Sequence, residues 1–231
     1  MKKLILALAF LCSVSANGEE KPKYADYQKK AESWQKAESV DWPMVSKELG
    51  AYLTGVIAHF SANHPAEKIY GIVIETTENW DLSVYLNTEQ GLVEGVALFR
   101  KNSVGYEKKT DDEIRETMGR WHYDAWKFQF YELKCPADTN KLNEIHLEVF
   151  DKLYEQEWEQ QKKDPNAPGV SQPFRLACAE AIAMLEQSPE LKALSKTPDF
   201  KLRFYDQNSL EWGTDKLMEK ARENVKKRAG G

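Results

Sequence analysis

The sequence predicts an α+β fold: a small, mainly antiparallel sheet of about four or more strands packed with several helices. Three patterns carry that expectation. Apolar residues recur at helical spacing in several long segments, first at Val45, Leu49, Tyr52, Leu53, Val56, Ile57 and Phe60. Shorter segments alternate with period two, as Leu82, Val84, Leu86 and as Phe200, Leu202, Phe204. Strands and helices are segregated along the chain instead of repeating as strand–helix–strand units.

The elements follow in order. A polar helix is expected over Tyr24–Glu38. The first long helix opens at Asp41-Trp42-Pro43, since Pro in a first turn removes an N–H that has no helical partner, and Asn63-His64-Pro65 ends it. Ile69–Glu75 is nearly all apolar, as for a strand covered on both faces. With Leu82–Leu86 it makes a hairpin across Glu78-Asn79-Trp80-Asp81. Asn87-Thr88-Glu89-Gln90 starts a helix through Phe99. Thr110 and Glu113 form a capping box, and Gly119 stops that helix. Trp126, Phe128 and Phe130 alternate with polar residues, so a third strand is expected over Ala125–Tyr131. Its three aromatic side chains should share one face in the core, with Trp121 covering the junction before it. Helices then run from Leu142 to Lys163 and from Phe174 to Leu185, with a loop at Asp164–Gly169 between them, and a short one starts at Ser188-Pro189. The strand around Phe200–Phe204 follows. Asn208 and Glu211 cap a last helix through Val225, and Lys226–Gly231 should fray.

The first sixteen residues read as a cleavable export signal. Lys2 and Lys3 precede the apolar run Leu4–Cys12, and Ser13-Val14-Ser15-Ala16 supplies small residues, so cleavage is expected after Ala16. The run is too short for the roughly 20 residues of a membrane span. A retained anchor is the alternative reading. A lipoprotein reading centred on Cys12 is disfavoured by bulky Leu11. Residues 17–23 should be mobile and 24–228 should form one α+β domain, in a periplasmic or secreted protein.

Charge narrows the partners. The chain carries 32 basic and 37 acidic residues, net −5, and loss of Lys2 and Lys3 makes it 30 against 37, net −7. Such a chain lacks the basic footprint of a nucleic-acid binder. It is not drawn to anionic lipid, and no stable membrane association is expected once the signal is removed. Cys135 and Cys178 would remain after cleavage. Export permits a disulfide between them, while the helical spacing of Cys178 equally fits a buried thiol.

No catalytic or metal pattern stands out, and no cofactor is expected. His59 and His64 are five apart and lack the HExxH spacing of a zinc helix. His146 sits on an apolar stripe and reads as a core residue. There is no GxSxG elbow and no glycine-rich phosphate loop. His122 and Cys135 could meet, though no spacing requires it. Asp111 and Asp112 suit a helix first turn, and Glu155 to Glu159 suits a solvated helix face. Arg120-Trp121-His122-Tyr123-Asp124-Ala125-Trp126 is the segment richest in chemistry. Trp, Tyr and Arg dominate binding hot spots, so Arg120, Trp121, His122 and Asp124 are the candidate binding residues. The same residues equally suit a structural corner, with Arg120 held by a carboxylate and the indoles in the core.

Through this segment the chain resembles a bacterial family of uncharacterised proteins, domain-of-unknown-function family 4303. The resemblance rests on the hairpin Ile69–Leu86 followed by Asn87-Thr88-Glu89, on Arg120-Trp121 with Trp126, and on the course Phe174–Leu185 then Phe200–Asp206. It spans about Val45 to Trp212. It implies an α+β domain without an established activity, and some relatives are suggested to be immunity proteins against secreted toxins. The leading expectation is therefore an exported, non-catalytic protein-binding domain, with a basic protein as the suited partner. The alternative is a periplasmic hydrolase using carboxylates or His122.

Overall fold

The computed structural model describes residues 23–77, 80–118, 120–135, 137–167, 169–207, 211–212 and 215–230. The expected export signal, Gly119 and Asn208 lie outside the described residues. Eight α-helices are present among those described: α1 (Ala25–Ala31), α2 (Trp42–Asn63), α3 (Glu89–Asn102), α4 (Asp111–Met118), α5 (Ala137–Gln161), α6 (Ser171–Gln187), α7 (Pro189–Ala193) and α8 (Asp215–Ala229). The strands are β1 (Ile69–Thr76), β2 (Leu82–Thr88), β3 (Lys196–Asp206) and β4 (Glu211–Trp212). None of the described helices is long and apolar enough to cross a membrane.

The sheet has the order β2-β1-β3-β4. The predicted β1–β2 hairpin is present and antiparallel, but β1 and β3 are parallel. β4 adds a two-residue antiparallel edge. The sheet is therefore mixed and in substance three-stranded, which corrects the expectation of a mainly antiparallel sheet of four or more strands. Parallel neighbours need a long crossover, and the helices between β2 and β3 provide one. β1 lies in the centre and is buried along its whole length, as its continuous apolar run requires.

One face of the sheet, the helical face, packs Ile72, Ile74, Leu82, Val84, Leu86 and Phe204 into a core shared with α2, α5 and α6. α6 is the central helix. Ala177, Ala179, Ala181 and Ala183 are buried along it, and such small side chains let helices approach from more than one side. The other face, the far face, carries a separate apolar cluster of Tyr70, Val73, Tyr85, Leu92 and Trp126. A register irregularity between Ile69 and Gly71 turns Tyr70 and Gly71 toward this far face.

The predicted third strand, Ala125–Tyr131, is not a strand. A 3-10 turn covers Tyr123–Ala125 and another Tyr131–Lys134. Between them only Phe128 pairs, with Leu86. Trp126 lies in the far-face cluster, Phe128 in the helical core, and Phe130 is 44% exposed. The physical reason is that this segment straps the open edge of β2. The edge N–H groups of β2 must find acceptors. That of Leu86 donates to the Phe128 carbonyl at 2.9 Å, that of Val84 to Glu132 Oε2 at 2.8 Å, and that of Leu82 to Asn143 Oδ1 at 3.4 Å. Crossing from one face to the other costs the segment its strand geometry.

Smaller differences have local causes. α1 ends at Ala31 because the chain turns to bury Trp34 against Phe150, ring centroids 6.1 Å apart. A separate 3-10 turn covers Ala37–Ser39. The last helix begins at Asp215, after β4, and stays helical to Ala229 instead of fraying from Lys226. The caps were legible: Asp41 accepts from Met44 N–H, Thr88 from Gly91 N–H, and Ser188 from Leu191 N–H, while Thr110 and Glu113 exchange bonds. Cys135 and Cys178 are separate buried thiols. His146 is a core residue, 2.7 Å from Tyr27 Oη, and burial lowers its pKa to about 3.

Glu132 gives the edge closure a pH signature. Burial pushes its pKa up to about 7, against the opposing bond from Val84 N–H. Between the ordinary glutamate value and 7, the folded chain holds a proton that the unfolded chain has released. Its stability therefore falls as pH rises through that window, by at most about 3 kcal/mol. Glu132→Gln keeps an acceptor for Val84 N–H without the charge. Chemical melts from pH 4 to 8 should show the variant gaining on the wild type up to pH 7 and levelling off above it. A difference that does not vary with pH would contradict this.

Candidate functional site

The far face collects the candidate residues. Val73 and Glu75 of β1, Ser83, Tyr85 and Asn87 of β2, and Lys201, Arg203 and Tyr205 of β3 lie in register on it. The 120–130 segment covers the β1–β2 side and leaves much of β3 exposed. Backbone bonds from Ala125 N–H to the His122 carbonyl and from Trp126 N–H to the Tyr123 carbonyl shape the turn. Trp126 Nε1–H donates to the Arg120 carbonyl at 3.2 Å. Lys127 ties the segment to α3 through Glu94 at 2.8 Å.

The four predicted binding residues fall into different settings. Arg120 is half-buried and pairs with Glu89 at 2.6 Å and Asp199 at 3.1 Å. Burial opposes its charge, but the two carboxylates outweigh burial and raise its pKa. Its guanidinium lies 3.9 Å from the Tyr70 ring centroid, a cation–π contact. Trp121 is half-buried, edge-on to Tyr70 at 5.4 Å. Lys201 Nζ lies 4.4 Å from its ring centroid and the Arg203 guanidinium 5.6 Å. His122 is exposed, and no described residue hydrogen-bonds its ring. Asp124 is exposed at the rim of a groove. No hydrogen bond joins His122 to Asp124, and Cys135 belongs to the helical core.

That groove runs between α3 and the 124–129 segment. Its volume is about 490 Å³, and Gly95, Leu98, Phe99, Asp124, Ala125 and Trp126 line it. Leu98 is 60% exposed. Among the described residues no group of three or more His, Cys, Asp or Glu side chains is placed to hold a metal ion.

A second cluster on the far face escaped the sequence reading. Glu75 is buried, and its two oxygens accept from Tyr85 Oη–H at 2.7 Å and Tyr123 Oη–H at 3.0 Å. Burial and the Glu75 carboxylate both raise the pKa of these phenols, so each stays a donor. Tyr205 and Phe130 complete the ring of aromatics, with Tyr123–Tyr205 centroids 6.0 Å apart and Tyr85–Phe130 5.0 Å apart. The available signal was Glu75 itself, a carboxylate in an otherwise apolar strand. Partners from β3 and from the 123–130 segment could not be paired with it without the topology.

No protein-family model, curated protein or solved structure matches the chain.

Gly71 fixes how closely Trp126 approaches the sheet. A Cβ at Gly71 would lie 2.4 Å from Trp126 Cη2 and 3.3 Å from Trp121 Cζ3. Trp126 is 4% exposed, so Trp126→Ala should cost about 3–5 kcal/mol. Gly71→Ala should cost about 1–3 kcal/mol through overpacking. The double variant should lose clearly less than the two single losses added, because the new methyl occupies space the indole has left. Denaturant melts of the four proteins measure this coupling, and simple additivity would refute the packing described.

Proposed function

We propose that this chain is an exported, non-catalytic protein-binding domain that docks its partner on the far face. The observation that carries the reading is the groove between α3 and the 124–129 segment, where Leu98 stands 60% exposed beside Phe99 and Ala125. A large apolar side chain in a concave site rimmed by Glu94, Asp124 and Lys127 has the make-up of a recognition surface, an apolar centre with a polar rim. The excess of acidic residues suits a basic partner through electrostatic complementarity. The resemblance to family 4303 extends the reading to an immunity-type role, in which the captured partner is a secreted toxin. Export rests on the Lys2–Ala16 pattern.

Capture from a cell-envelope extract tests the reading. The wild type should retain a basic protein at low salt and less of it at moderate salt, where screening weakens the attraction. Leu98→Asp should fold normally, since surface changes stay within about 0.5 kcal/mol, and should reduce capture at least tenfold. Equal capture by wild type and variant would overturn the docking surface, as would no capture at either salt.

A further inference from the structure

One face of α3 shapes the groove between that helix and the 124–129 segment. Gly91, Gly95, Leu98 and Asn102 line it, spaced as residues of a single helix face are. Gly91 closes one end: a Cβ there would lie 3.0 Å from Lys127 Cβ, so the 124–129 segment touches the helix backbone. From Gly91 to Asn102 the helix rises roughly 17 Å, at about 1.5 Å per residue. An extended chain covers that length in about five residues. A helix about 10 Å across would fill roughly 1,300 Å³ over the same length. The groove holds about 490 Å³. It therefore suits an extended segment laid along it, not a helix sunk into it.

The polar groups of the groove divide into engaged and unengaged ones. Glu94 is held by Lys127 at 2.8 Å and by Gln90 at 3.0 Å, and Lys127 also reaches Glu67 at 3.6 Å. Neither offers an unpaired charge. Asp124 differs. Its carboxylate meets no cation and no donor among the described residues, and only its backbone carbonyl is used, by Gln129. The side chains of Asn102 and Ser103 likewise make no hydrogen bond among the described residues. An extended segment brings backbone N–H and C=O groups that a helix satisfies internally. The Asn102 amide and the Ser103 hydroxyl can both donate to such groups and accept from them.

We propose that this groove binds an extended basic segment of the partner protein, with one apolar side chain seated against Leu98 and an adjacent lysine or arginine paired with Asp124. Leu98 gives apolar contact to any segment. Asp124 carries the one unpaired charge on the groove among the described residues, so it selects the basic segment. The inference rests on the docking reading and names the piece of the partner that the groove takes.

The test uses the full chain with its leucine and alanine methyl signals followed by NMR. The probe is the peptide acetyl-Ala-Leu-Lys-Ala-Ala-amide. A neutral twin carries Gln in place of Lys, and a polar twin carries Ser in place of Leu. The probe should shift the Leu98 and Ala125 methyl signals saturably. The neutral twin should bind about threefold more weakly, as for the loss of one exposed ion pair, and the polar twin should leave both signals unmoved. Asp124→Asn changes an exposed side chain and should fold as the wild type does. It should lower the affinity for the probe to that for the neutral twin and leave the neutral twin's affinity unchanged. Equal affinity of the wild type for the probe and the neutral twin would overturn the proposal, as would a lysine preference that survives in Asp124→Asn. So would a response to the polar twin equal to that of the probe, or no saturable shift with any peptide. In each of these cases the docking surface is still decided separately, by capture with Leu98→Asp.

Discussion

The open edge of β2 is the constraint around which this fold is arranged. β2 is the outermost strand of the sheet, and its outward N–H groups cannot be left unsatisfied in a buried setting. A fourth long strand would satisfy them in a regular way. Here three unlike acceptors do so: a backbone carbonyl at Phe128, a carboxylate at Glu132 and a side-chain amide at Asn143. Each comes from a different local structure. The chain must therefore cross the edge between Trp126, which lies on the far face, and Tyr131, which packs against Phe60 on the helical face. That crossing protects the edge from pairing with another chain. It also builds the far face, because the residues that approach the edge are those that cover Tyr70 and Val73.

The closure carries an electrostatic cost, visible in the raised pKa of Glu132. The helical side handles its polar groups differently. Asp206 accepts from Thr76 Oγ1–H at 2.9 Å and pairs with Arg175 at 3.1 Å. Glu180 pairs with Arg228 and accepts from Asn224, which ties α8 to the central helix. There, charge meets charge or several donors. Glu132 and Glu75 lack a cationic partner among the described residues, and both contact the 120–134 segment or lie within it. Glu157 of α5 is also buried, instead of lying on the solvated face expected for it, and Val170 N–H and Gln161 hold it without a cation, so carboxylates of this kind occur on the helical side as well.

Much of the fold was legible in the sequence because it rests on local signals. The stripe of α2, the hairpin, the caps at Asp41, Thr88, Thr110 and Ser188, and the core position of His146 all follow from spacing within one element. Two features were not legible. The parallel pairing of β1 with β3 depends on a crossover whose path no local pattern specifies. The period-two pattern of Trp126, Phe128 and Phe130 is genuine, but alternation indicates one sheet face only when the segment stays on one face. Arg120, Trp121, His122 and Asp124 could be named as candidates because their chemistry is concentrated in sequence. Glu75, Tyr205 and Lys201 were missed because theirs is concentrated only in space.

The far face is polarised. Around Trp121 stand Arg120, Lys201 and Arg203, with Glu89 and Asp199 engaged by Arg120. Further along the same strands, the aromatic group surrounds the lone carboxylate Glu75. Strand register fixes the separation of these two regions, because Gly71 pairs with Lys201 and Glu75 with Tyr205. β1 and β3 are paired neighbours over Gly71–Thr76 and Lys201–Asp206, so neither region can move without shifting the sheet. On the docking reading proposed above, the groove at Leu98 would supply apolar contact, and the strand register would fix where these two regions stand relative to it.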